Sequence, residues 1–105
     1  MQIQQLRAFR EVAAELSVTR AARNLNYAQS TVTAQIQGLE ESVGAALFDR
    51  SHRRLALTEA GARLLPYARI IIDAAEEGRR AVAAAQATPR CDARVRRVRR
   101  ARLPS

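Results

Sequence analysis

Lysine and tryptophan are absent from this chain, histidine and cysteine occur once each, and aromatic residues make up only 4% of 105 residues. The lone Cys91 has no partner for an internal disulfide, which excludes a disulfide scaffold and fits a reducing compartment. With His52 the only imidazole and Cys91 the only thiol, no catalytic triad and no His/Cys metal cluster can be assembled. No catalytic residue, cofactor or metal is therefore expected, and an enzyme is the least favoured class. No apolar run approaches the ~20 residues of a membrane-spanning helix. The start, Met1-Gln2-Ile3-Gln4-Gln5, is too polar for a signal peptide. A cytoplasmic protein with no membrane partner is the expectation.

What is abundant is alanine and arginine. Nearly half the residues (48%) are hydrophobic, enough for one modest core, and small side chains favour closely packed helices. The net charge is +8, but it is unevenly placed. Residues 1–89 hold 11 Arg against 9 acids, whereas residues 90–105 hold 7 Arg against Asp92 alone. Residues 89–105 are therefore expected to form a disordered basic tail, suited to a polyanion or simply solvated.

Upstream of that tail the hydrophobic spacing is helical. Ile3, Leu6, Phe9 or Val12, Ala13 and Leu16 recur on one face, with Arg7, Arg10, Glu11 and Glu15 between them. Ser17 is placed to break this helix and cap the next, whose inner face is Val18, Ala21, Ala22 and Leu25. Asn26, tolerant of a left-handed backbone, marks the turn. A third helix follows with Val32, Ile36, Leu39 and Val43 on one stripe and Gly44 as its terminator. On a wheel of ~100° per residue, Gln29, Thr33 and Gln37 centre roughly a quarter of a turn from that stripe. With Ser30 they present amides and hydroxyls, the groups that read base edges.

The alternation of Leu55, Ala56 and Leu57 predicts a short strand paired with residues near Phe48–Arg50, the tip between them being Ser51-His52-Arg53-Arg54. A lone ribbon is marginal, so Leu47, Phe48, Leu55 and Leu57 are expected to anchor it on the helices. Thr58 should cap a last helix that runs to about Ala87, with Glu59 in its positive first turn and Pro66 removing one hydrogen bond and kinking its first turns. Leu64, Ala68, Ile71, Ala75, Gly78, Val82 and Ala85 follow a four-three repeat, the seam of a paired helix, with Leu65 and Ile72 widening the stripe. At ~1.5 Å per residue such a helix extends about 43 Å, more than so small a domain covers. A homodimer through this helix is the expectation, and a helix folded back on its own domain is the alternative.

These elements in this order resemble the N-terminal winged helix-turn-helix domain and linker helix of the LysR-type transcriptional regulators. The resemblance covers about residues 2–88. It rests on Leu6-Arg7-Ala8-Phe9, Ser17-Val18-Thr19-Arg20-Ala21-Ala22, Gln29-Ser30-Thr31-Val32-Thr33, Ile36, Leu39-Glu40, Gly44, Leu47-Phe48-Asp49-Arg50 and Leu57-Thr58-Glu59-Ala60-Gly61. It implies a mainly α fold: a winged helix-turn-helix of three helices and a two-stranded wing over residues 1–58, a linker and dimerisation helix over 59–88, and the tail over 89–105. It also implies double-stranded DNA as partner. Gln29, Ser30 and Thr33 match groove-facing positions, and Gln29 is the leading base contact because its amide pairs bidentately with adenine. Gln37 extends that face. Ser17, Thr19 and Arg20 suit a phosphate, and Arg50, Arg53 and Arg54 suit the backbone or minor groove.

Two departures thin the contact list. Ala28 stands where the family usually has Ser or Thr at the recognition-helix start, and Ala34 where it commonly has Arg or Lys. Members of the family normally continue into a two-lobed effector-binding domain, and residues 91–105 resemble none of it. The expectation is a truncated or out-of-frame regulator that senses no small molecule and binds an inverted-repeat operator as a dimer. Two alternatives remain: a module that forms mixed dimers with full-length regulators, and nonspecific nucleic-acid binding through the tail.

Overall fold

The computed structural model describes residues 1–51 and 53–86. The expectations for His52, for the last residues of the linker helix and for the tail with Cys91 lie outside the described residues. The order is α1 (Ile3–Glu15), α2 (Val18–Leu25), α3 (Gln29–Val43), β1 (Phe48–Asp49), β2 (Ala56–Leu57) and α4 (Glu59–Gln86). This is the mainly helical winged helix-turn-helix read from the sequence.

Local chemistry sets most of the boundaries. The Ser17 Oγ accepts the Arg20 N–H at 3.2 Å and starts α2. Asn26 ends it with φ 61°, and Gly44 ends α3 with φ 76°, both in the left-handed region. Thr58 does two jobs. Its Oγ1 accepts the Gly61 N–H at 3.0 Å, capping α4, and donates to the Ala46 carbonyl at 2.6 Å. One expected boundary moves by a residue. Leu16, placed on the apolar face of α1 by its spacing, is its C-cap at φ 51° and is 48% exposed. The chain turns one residue before Ser17, which swings Leu16 off the buried face.

In the unit Met1–Ile72, α1, α2 and α3 pack on one another. Leu6, Phe9 and Val12 from α1, Ala21 and Ala22 from α2, and Val32, Ile36 and Leu39 from α3 form the centre. Each large side chain buried there contributes about 1.5–3 kcal/mol relative to exposure. Val43, expected to complete the α3 stripe, is 40% exposed because it lies at the helix end beyond that centre.

The wing is antiparallel, with Phe48 opposite Leu57 and Asp49 opposite Ala56. Two residues per strand would not hold alone. Leu47 and Phe48 are buried, and the Phe48 ring meets Phe9 edge-on at 5.5 Å. The first part of α4 also enters this core. Ala68 and Ile72 are fully buried and Leu64 and Leu65 pack against them, so Ala68, expected on a partner-facing seam, is instead enclosed by its own chain. The repeat predicted the burial of one face but not which neighbour buries it. In the same helix Ile71 (36%) and Val82 (57%) are exposed, as is Gly78. α4 continues through Pro66 without a break. The second unit begins at Asp73 and carries the remainder of α4.

Candidate nucleic-acid interface

The turn between α2 and α3 sets how the third helix is presented. The Tyr27 N–H donates to the Ala22 carbonyl at 2.9 Å and the Asn26 N–H to Arg23 at 3.2 Å, closing a tight left-handed turn. Burial of Val32, Ile36 and Leu39 then rotates the rest of α3 outward: Gln29, Ser30 and Gln37 are exposed, and Thr33 is half-buried. Ala28 has an extended backbone but no side-chain oxygen, so α3 begins without a side-chain cap. Its first N–H groups are left for solvent or a ligand oxygen.

A second group of expected residues converges near the start of α2. Ser17 and Arg20 line one concavity with Arg50, Arg53 and Arg54 of the wing. All four arginines are exposed. Thr19 is exposed on the same first turn, while Ser17 is half-buried with its Oγ already engaged by Arg20 N–H. The wing is shaped by Asp49, whose Oδ1 accepts from the Ser51 N–H at 2.9 Å and from the Ser51 hydroxyl at 2.6 Å. Four arginines thus crowd one end of the motif, next to the N-terminus of α2 and outnumbering the Glu15 carboxylate that shares the concavity. Such an arrangement neutralises phosphates on a polyanion, and amides and hydroxyls on α3 supply the uncharged reading groups.

Not every expected residue joins these two groups. Gln37 lines a separate depression with Glu40 and Glu41, where two carboxylates disfavour an approaching phosphate. Its position, eight residues beyond Gln29, places it ~12 Å further along α3. Two residues without a signal in the sequence are Gln2, the N-cap of α1, and Gln4 of its first turn, which share a cleft with Ser30 of α3. Helical periodicity carries no signal for such a juxtaposition. Among the described residues, no group of three or more His, Cys, Asp or Glu side chains is placed to hold a metal ion. No helix among them is long and apolar enough to cross a membrane.

Three packed helices, the third showing an amide and hydroxyl face, and an arginine-bearing ribbon define a winged helix-turn-helix DNA-binding domain. Residues 3–62 match the family described as bacterial regulatory helix-turn-helix protein, lysR family. The chain belongs to the LysR family of DNA-binding transcriptional regulators. It is 47% identical over 81 residues to the uncharacterized HTH-type transcriptional regulator YwqM of Bacillus subtilis, covering 77% of this chain and 28% of the relative. It is 43% identical over 79 residues to the HTH-type transcriptional regulator ClcR of Pseudomonas putida, covering 75% and 27%. Thus the chain spans 27–28% of the length of these curated relatives, which are named as regulators and not as enzymes. Among solved structures it resembles OxyR of Corynebacterium glutamicum, with a TM-score of 0.77 and 33% identity over 81% of this chain and 26% of that one. It also resembles the BenM DNA-binding domain in complex with catB site 1 DNA, with a TM-score of 0.74 and 33% identity over 78% and 92%.

Proposed function

We propose that this chain reads double-stranded DNA with α3 in the major groove and binds an inverted-repeat operator as a homodimer paired through α4. The observation that carries the reading is the division of α3 into a buried apolar stripe and an exposed amide and hydroxyl face, with its first turn uncapped. Gln29 and Ser30 contact base edges, and Thr33 lies close enough to the groove floor to join them. Gln37 acts at the rim, where Glu40 and Glu41 keep phosphates at a distance. Thr19 and Arg20 grip one strand's backbone, Ser17 completes that turn, and Arg50, Arg53 and Arg54 hold the phosphates or minor groove alongside. The BenM domain's likeness in a DNA-bound form supports this assignment.

Exposure of Ile71, Gly78 and Val82 on one helix supports the pairing, with Ala75 between them and Leu64 partly available. A dimer places two copies of α3 against two half-sites, so the operator inherits the protein's two-fold symmetry. Selection of bound duplexes from a random pool tests the reading. An interrupted inverted repeat that Gln29→Ala degrades is the expected result, whereas no enrichment of any sequence would overturn it.

A further inference from the structure

The cleft beside the start of α3 is built entirely of uncharged groups. Gln2, the N-cap of α1, and Gln4, in its first turn, line it together with Ser30, Thr31, Ala34 and Gln35 of α3. Gln5, which also lines this cleft, is committed to the fold: its Oε1 accepts the Gln2 N–H at 3.0 Å, and its Nε2 lies against Gly38, where an added Cβ would come within 2.8 Å. Gln4 is exposed, and so are Ser30, Thr31 and Ala34. The side chain of Ala34 ends at Cβ, which leaves this stretch of the α3 wall shallow. On the same wall the Gln35 Oε1 is buried without a hydrogen-bond partner among the described residues.

We infer that the first turn of α1 is a second DNA-reading edge, in which the Gln4 carboxamide contacts a base pair flanking the one read by Gln29. This rests on the proposal that α3 enters the major groove, since Ser30 belongs both to the reading face and to this cleft. A carboxamide offers a donor and an acceptor on one planar group, which suits the edge of adenine in the major groove. The absence of any acid or arginine among the seven residues of the cleft favours a base edge over a phosphate, because a phosphate site draws on cations. Gln4 is therefore a specificity-determining residue, and Gln2, whose backbone N–H is held by Gln5, is the weaker neighbour.

The test is selection from a randomised duplex pool with the full chain, carried out for the unaltered protein, Gln4→Ala, Gln4→Glu and Gln29→Ala. Gln4→Ala should lose sequence preference at one position or two adjacent positions that Gln29→Ala leaves intact. On the duplex selected by the unaltered protein, Gln4→Ala should weaken binding about tenfold, the loss expected for one amide–base pair contact. Gln4→Glu should prefer a different base at that position, because a carboxylate accepts from the cytosine amino group and cannot donate. Thermal melting of the Gln4 variants should match the unaltered protein, Gln4 being exposed. If Gln4→Ala selects the same sequences while Gln29→Ala does not, the second edge is overturned and the α3 reading stands. If neither variant alters the selected sequences, both are overturned.

Discussion

The Glu40 carboxylate reaches from α3 to the backbone of the wing: its Oε2 accepts the Leu47 N–H at 2.8 Å, with the Phe48 N–H at 3.4 Å behind it. One side chain thereby fixes α3 to the segment that leads into β1. The loop between Gly44 and Leu47 cannot change course without releasing a partly buried charge-assisted hydrogen bond.

Glu40→Ala should therefore destabilise the domain by about 1.5–3 kcal/mol, the range for a hydrogen bond to a charged group. Thermal melting followed by circular dichroism should show the midpoint fall by roughly 6–24 °C. Glu40→Gln retains an acceptor and should lose less. An unchanged midpoint for Glu40→Ala would show that the loop holds its course without this anchor.

Gly61 tests the other side of Leu47. A Cβ at residue 61 would collide with the Leu47 carbonyl oxygen and come within 2.8 Å of Leu57 Cδ2. Gly61→Ala should cost about 1–3 kcal/mol or more, since backbone must shift to accept it. Gly78→Ala is the internal control, because nothing lies within 4 Å of its Cβ position. In denaturant titrations of the monomer it should gain up to about 1 kcal/mol of helix propensity.

Ile71 and Ile72 are adjacent in sequence and opposite in exposure. Ile72→Ala should cost about 2–5 kcal/mol, as for other buried aliphatic truncations. Ile71→Glu and Val82→Glu should leave the monomer's melting nearly unchanged while shifting sedimentation from dimer to monomer. Operator affinity should fall with dimerisation. Full-strength operator binding by a monomeric Ile71→Glu/Val82→Glu variant would remove α4 from the DNA-binding mechanism.

The wing arginines should be legible in salt dependence. Each phosphate contact removed should flatten the slope of log affinity against log salt by ~0.9. Arg53→Ala/Arg54→Ala should therefore lower the slope by up to about 2 units and weaken binding similarly across sequences. Gln29→Ala should leave the slope intact and alter sequence preference. A double arginine variant with an unchanged slope would mean that both guanidinium groups stay in solvent.

What the sequence revealed follows the range of the interactions involved. The caps at Ser17 and Thr58 and the turns at Asn26 and Gly44 depend on a few neighbouring residues, and each was readable from residue type alone. The amide face of α3 was readable because periodicity places it away from Val32, Ile36 and Leu39. Leu16 and Val43 were misplaced because a wheel assumes that the helix outlasts its apolar residues, and both lie at helix ends. Ala68 fits a pairing seam and an internal core equally well, and only three-dimensional packing separates them. The Glu40–Leu47 bond and the Gln4–Ser30 cleft join residues with no shared pattern, so nothing in the sequence announced them.

Burial of Ala68 and Ile72 in the hydrophobic core also decides where this polypeptide can be cut and rejoined. A break after Thr58 follows the last strand, yet it would remove two side chains from the hydrophobic centre and expose the surface they cover. The compact unit instead extends to Ile72. Chimeras that transplant this DNA-reading head onto another regulator should therefore cross over beyond Ile72, carrying nearly four turns of the connecting helix with the donor.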